Sequence, residues 1–161
     1  MQVREIMTLD PITISADAPL RDAAGLLRQN KIGGLPVMDQ GKLVGIITET
    51  DIVSLLKVRE VSDDLWLPSP LEIIELPIRE YMNWTKTKQA LSHIGDHKVR
   101  EVMSMPVITV DADADIEEAA EIMMQEDIAR LPVMEDERLV GIVTRADVVR
   151  GVGVSRGSST E

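Results

Sequence analysis

The chain has 161 residues, a formal net charge of −11, 44% apolar and 2% aromatic residues, and neither cysteine nor phenylalanine. This excludes a disulfide framework and a thiolate metal site. It also opposes binding to nucleic acid or anionic lipid, since no dense Lys/Arg cluster offsets the charge. No apolar run approaches the ~20 residues that cross a bilayer, and Met1-Gln2-Val3-Arg4-Glu5 does not start a secretory leader, so a cytoplasmic protein is expected.

In chain order, Ile12-Thr13-Ile14 reads as a short β-rich run. A helix follows, with Asp17 as N-cap, Pro19 in its first turn and Leu20, Ala23, Ala24 and Leu27 at i, i+3, i+4, i+7 spacing. Gly34 to Met38 reads as a strand and Asp39-Gln40-Gly41-Lys42 as a turn. Leu43 to Ile47 is a continuous apolar strand, expected to be buried on both faces. Thr48-Glu49-Thr50-Asp51 opens a second helix to about Val58. Residues 59–98 form a linker, marked by Pro68-Ser69-Pro70, with a short helix expected at Thr85 to Ser92. Trp66, Tyr81 and Trp84 lie in this linker and either cover the core or contact a partner.

The same pattern then returns. Val3-Arg4-Glu5-Ile6-Met7-Thr8 recurs as Val99-Arg100-Glu101-Val102-Met103-Ser104, a shift of 99 − 3 = 96 positions. Leu35-Pro36-Val37-Met38 recurs as Leu131 to Met134, Leu43 to Thr48 as Leu139 to Thr144, and Asp51 as Asp147, all in the same register. Ile108-Thr109-Val110 is the second β-rich run, and Ile116, Ala119, Ala120 and Met123 repeat the helical stripe. Roughly half of the paired positions are identical, which marks one structural unit used twice. The fold expected is α/β (α+β): two repeats, each strand-helix-strand-strand-helix with a small mixed sheet and helices on one face, packed about a pseudo-twofold axis. The boundaries are residues 1–58 for repeat 1, 99–150 for repeat 2 and 151–161 for a flexible tail.

Leu35-Pro36-Val37-Met38-Asp39 with Leu43 to Asp51, and Leu131 to Glu135 with Leu139 to Asp147, resemble the CBS (cystathionine β-synthase) domain family. Its marks are an "hPVhD" strand and an "hhGhhT/SxxD" strand-to-helix junction, here present twice. The resemblance implies a stand-alone Bateman module, that is, a CBS pair with two clefts for adenosine ligands. It places adenine near Ile12, Ile32 and Gly33 in one cleft and near Ile108, Ile128 and Ala129 in the other. It puts ribose on Asp51 and Asp147 and phosphate near Thr48 and Thr144. The family's phosphate-reaching Arg corresponds to Arg130 in repeat 2, but Gly34 stands there in repeat 1.

The chemistry of these residues suits that assignment. An ionised carboxylate can accept from both ribose hydroxyls, and a helix N-terminus suits phosphate. Gly45 and Gly141 would allow close backbone approach, while Arg130 and Arg145 supply positive charge. Thr48-x-x-Asp51 and Thr144-x-x-Asp147 also read as capping boxes with Asp in place of Glu, and the two roles are compatible. The expectation is a regulatory sensor that binds AMP, ADP or ATP and acts on a separate effector protein. The alternatives are a sensor of S-adenosylmethionine-type ligands and an interaction scaffold with degenerate clefts.

Other chemistry is weaker. The Asp111, Asp113 and Asp115 cluster has Ile116 and Ile122 where a calcium loop needs Gly and Glu. His93 and His97 straddle Gly95 and have no third ligand, so no metal site is expected. No nucleophile–base pair is evident, so the chain is expected not to be an enzyme. Arg21, Arg28 and Lys31 in repeat 1 correspond to Glu117, Met124 and Asp127 in repeat 2, which favours a head-to-tail homodimer.

Overall fold

The structure, a computed structural model, describes residues 1–61 and 93–155. The expected linker helix, Trp66, Tyr81, Trp84 and the tail from Arg156 lie outside the described residues. The described elements are β1 (Thr8–Leu9), β2 (Ile14–Ser15), α1 (Leu20–Asn30), β3 (Gly34–Asp39), β4 (Lys42–Thr48), α2 (Glu49–Val61), β5 (Val110–Asp111), α3 (Ile116–Gln125), β6 (Arg130–Glu135), β7 (Arg138–Thr144) and α4 (Arg145–Ser155). Short 3-10 turns at Val3–Glu5 and Val99–Glu101 head the two leaders. Repeat 2 therefore runs strand-helix-strand-strand-helix, repeat 1 runs the same way with β1 added in its leader, and the class is mixed α/β. One sheet has the order β1-β7-β6-β5 and the other β2-β3-β4. In the first, β5 lies parallel to β6, and β6 and β1 lie antiparallel to β7.

The unit of packing differs from the unit of repetition. The chain divides into two compact units, one of residues 1–13, 36–45 and 105–161, the other of residues 14–35 and 46–104. The leader of repeat 1 thus belongs with the body of repeat 2, and the leader of repeat 2 with the body of repeat 1 apart from residues 36–45.

In the first unit the core holds Val3, Val110, Ala112, Ala119, Met123, Leu131, Val133 and Val143, with Ile108, Ile128 and Val148 packed against it. The leader docks through backbone: the Val3 N–H donates to the Ala114 carbonyl at 2.9 Å and the Arg4 N–H to the Ala112 carbonyl at 3.0 Å. Arg4 pairs with Asp113 and with Glu135, and these partners push its guanidinium pKa further up, Glu135 contributing most. Asp111 Oδ1 accepts the Asp113 N–H at 2.8 Å, so the acidic run forms a turn ahead of α3.

The second unit repeats the plan. The Val99 N–H donates to the Ala18 carbonyl and the Arg100 N–H to the Ala16 carbonyl, both at 2.9 Å. Arg100 Nε donates to Asp17 Oδ1 at 2.9 Å. Ile14, Ala16, Leu20, Ala23, Leu27, Leu35, Ile47 and Val99 are buried. Arg21 pairs with Asp96, and His97 Nδ1 lies 3.0 Å from Glu101 Oε2.

Four local expectations change. Pro19, not Asp17, occupies the N-cap position of α1, with no side-chain cap hydrogen bond, and the Asp17 carboxylate pairs with Arg100 instead. Ala24 is exposed, so the α1 stripe is narrower than the spacing suggests. β4 and β7 are not buried on both faces: Ile47 and Val143 are buried, whereas Ile46 and Ile142 are half-buried. Finally, α4 continues through Gly151 and Gly153 to Ser155, past the start assigned to the flexible tail. Tertiary packing overrides glycine's low helix propensity there. Gly151 is buried, and an added Cβ would lie 3.1 Å from Ile6 Cγ2 and 3.2 Å from Met1 Sδ.

Gly141 is where the leader needs glycine. It sits opposite Leu9 in the β1–β7 ladder, and an added Cβ would lie 2.6 Å from Met7 Sδ and 2.9 Å from the Thr8 carbonyl oxygen. Gly141→Ala should therefore cost about 2–3 kcal/mol by urea unfolding. Gly25→Ala, where a Cβ would meet nothing within 4 Å, should stabilise the chain by ~0.5–1 kcal/mol. Equal effects would refute this account of Gly141.

The Arg100 guanidinium, chiefly through its hydrogen bond, also holds the Asp17 carboxyl below the usual carboxylate range. A lowered folded-state pKa contributes stability above the unfolded pKa of about 3.9 and loses it as the pH falls below that value. Asp17→Asn should thus lower the melting temperature at neutral pH and leave it unchanged in strong acid, as followed by circular dichroism.

Candidate functional site

Each repeat turns from strand to helix on one carboxylate. At the end of β7 the Thr144 N–H donates to Asp147 Oδ2 at 2.9 Å, and the Thr144 hydroxyl donates to the same oxygen at 2.9 Å. The Asp147 N–H donates back to Thr144 Oγ1 at 3.3 Å. At the end of β4 the same three contacts join Thr48 and Asp51, at 2.9, 3.0 and 3.2 Å. Both are capping boxes with Asp as the acidic member. One carboxylate oxygen is consumed by the cap, and the other lies beyond it.

That second oxygen is treated differently in the two repeats. Asp51 Oδ1 accepts the Ser104 hydroxyl at 3.0 Å. Asp147 Oδ1 is held by the Arg150 guanidinium, one helical turn along α4. Asp147 is 6% exposed, whereas Asp51 is half-buried.

The remaining expected residues of repeat 2 gather at this junction. The β6–β7 register sets Arg130 opposite Thr144. The Ala129 carbonyl accepts the Arg145 N–H at 3.0 Å, which ties the chain before β6 to the start of α4. Ile108 and Ile128 pack against one core cluster. Val110 pairs with Val133, so Ile108 stands at the same end of the sheet as Arg130. In repeat 1, Ile32, Gly33, Thr48 and Asp51 fall in one unit, with the Glu49 N–H donating to the Gly33 carbonyl at 3.1 Å. Ile12, 38% exposed, belongs to the other unit.

Two placements differ from the simple reading of the sequence. Arg145 Nε donates to the Ile128 carbonyl at 3.1 Å and Nη2 to the Met123 carbonyl at 3.4 Å, so its charge serves the C-terminal end of α3. Gly141 makes way for the leader's backbone, as described above. Ser104 and Arg150 were not singled out from the sequence. Arg150 could have been found by its i, i+3 spacing from Asp147. Ser104 could not, because it reaches Asp51 across 53 positions of chain. A cavity of ≈ 250 Å³ adjoins Asp147, lined by Met1, Glu5, Ile6, Asp147, Arg150, Gly151 and Val154.

Comparison with known proteins adds the following. The family model described as CBS domain matches residues 3–58 and 99–153. Protein MJ1426 of Methanocaldococcus jannaschii is 42% identical over 154 residues, covering 94% of this chain and 91% of that protein. The CBS domain-containing protein YhcV of Bacillus subtilis is 28% identical over 146 residues, covering 91% and 81%. Among solved structures, the CBS domain pair of protein MJ0100 in complex with 5'-methylthioadenosine and S-adenosyl-L-methionine superposes with a TM-score of 0.70 at 28% identity, covering 96% of this chain and 98% of that one.

Because each Asp is a helix cap, removing it should cost stability before it affects any ligand. Asp147→Ala and Asp51→Ala should each lower unfolding free energy by about 1–2 kcal/mol, and the Asn variants by less. Urea titration measures this. Unchanged midpoints for both Ala variants would show that the caps do not hold α2 and α4.

Proposed function

Since the chain belongs to the CBS domain family, we propose that it is a regulatory sensor of adenine nucleotides (AMP, ADP or ATP) acting on a separate effector protein. The observation that carries this reading is the pair of Thr-capped aspartates, Asp51 and Asp147, one at each strand-to-helix junction. Each commits one oxygen to its cap and keeps the other for an exchangeable donor. A ribose supplies neutral donors of the kind Ser104 already offers Asp51. Thr48 and Thr144 stand at helix N-termini, which favour anions. Arg130 lies opposite Thr144, where a phosphate would need a cation. Ile32 and Gly33, or Ile108, Ile128 and Ala129, would face adenine.

One observation favours a second reading. A neighbour of similar fold at 28% identity is described as a complex with 5'-methylthioadenosine and S-adenosyl-L-methionine, which are adenosine compounds without phosphate. On that reading Arg130→Ala would leave affinity unchanged.

A ligand can drive regulation only through its differential affinity for two arrangements of the protein. A cytoplasmic homodimer is the form we propose to respond. Exposed apolar side chains support it: Met124 on α3 at 77%, Val149 and Val152 on α4 at 72% and 53%, and Val53 on α2 at 52%.

Isothermal titration with AMP, ADP, ATP and S-adenosylmethionine tests the proposal, using Asp51→Asn and Asp147→Asn variants shown to be folded. Binding by the wild type should be lost stepwise in the variants, and a ligand at 100 times its Kd should raise stability by about 2.7 kcal/mol. Absence of binding by any of the four would leave an interaction scaffold as the better description.

A further inference from the structure

The two capped aspartates differ in charge balance. Asp51 Oδ1 accepts from a neutral hydroxyl, that of Ser104 at 3.0 Å. Asp147 Oδ1 carries a guanidinium, that of Arg150. The position equivalent to Arg150 at the shift of 96 is Ser54, and the position equivalent to Gly151 is Leu55. Repeat 2 therefore combines a charged partner for its aspartate with a glycine beside it, and a cavity of ≈ 250 Å³ opens there.

Resting on the reading that an adenosine ligand sets its ribose on Asp147, we propose that Arg150 is the specificity-determining residue of that site. It blocks Asp147 against neutral adenosine compounds and releases it to a ligand that brings a phosphate.

Asp147 Oδ2 accepts from both the N–H and the hydroxyl of Thr144, so it cannot serve ribose without uncapping α4. Ribose must take Oδ1, and the guanidinium must leave. The carboxylate is 6% exposed, and a buried charge that loses its countercharge is costly. Neutral hydroxyls replace only part of what the guanidinium gave, since they donate to the carboxylate but bring no countercharge to it. A neutral ligand leaves that deficit, and a sulfonium ligand adds repulsion with the displaced Arg150. A phosphate closes the balance by giving the guanidinium a bidentate acceptor. The Arg150 side chain is 70% exposed, so it has room to turn toward one. At Asp51 the exchange is hydroxyl for hydroxyl and carries no preference for charge. The two sites are thus matched to different ligands: phosphorylated adenosine at Asp147, and adenosine compounds of either kind at Asp51.

The test is isothermal titration with AMP and with adenosine. The chain carries Asp51→Asn, so that the Asp147 site is read alone, and circular dichroism confirms folding. AMP should bind at least about tenfold more tightly than adenosine, the weight of one charge-assisted contact. Adding Arg150→Ala should cut that ratio severalfold by weakening AMP while adenosine binds as well as before or better, leaving only the preference that Arg130 and the N-terminus of α4 supply. Adding Arg150→Lys should keep part of the ratio. An unchanged ratio, or equal weakening of both ligands, overturns the inference and leaves the sensor reading standing. If the wild-type chain binds neither compound, both fall together.

Discussion

The N–H of Thr144 stands where β7 ends and α4 begins, and it finds its acceptor in a side chain. Asp147 provides it from within the first turn of α4, and Asp51 does the same for Thr48. This contact fixes the direction in which each helix leaves its sheet. It also fixes where the carboxylate points, because the oxygen not used by the cap is held beyond the junction. Helix direction and site geometry therefore depend on the same few atoms, and a substitution at either aspartate tests both at once.

The second constraint is the docking of the leaders. Arg4 with Asp113 and Arg100 with Asp17 are the same pair at the repeat shift, each formed between the leader of one repeat and the body of the other. Their exposed ion pairs are secondary, since surface pairs contribute little. The fully buried Val3 and Val99, with two backbone hydrogen bonds beside each, do more. Gly141 belongs to this arrangement, because β1 could not approach β7 if the residue carried a side chain.

The sequence made the strand-helix-strand-strand-helix order readable, because β6, β7 and the α3 stripe carry strong periodicity and recur in register. The T-x-x-D caps were readable for the same reason. The partnering of leaders and bodies was not. With Arg4 identical to Arg100 and Asp17 identical to Asp113, a translational repeat gives no local sign of which Arg meets which Asp. The helical course of residues 151–155 was obscured by Gly151 and Gly153, whose propensity opposes a helix that tertiary packing against Ile6 makes favourable. Arg145 looked like a phosphate ligand by charge and position, yet it donates to the carbonyls of Met123 and Ile128 and pairs with Asp127.

The differences between the repeats carry more functional information than their likeness. Ser104 belongs to a leader, and its backbone exchanges hydrogen bonds with Ile46 at 3.4 and 2.9 Å while its hydroxyl meets Asp51. On the sensor reading, a ribose that takes Asp51 Oδ1 removes a contact that holds the leader's end. A ribose that takes Asp147 Oδ1 instead removes a contact within α4, between residues one turn apart. The first event loosens docking between distant parts of the chain, whereas the second only rearranges charge along one helix. Occupancy at Asp51 thus has a route to the leader that occupancy at Asp147 lacks. Two sites built from one repeated sequence can in this way divide the work, one signalling through the leader and the other selecting ligand by charge.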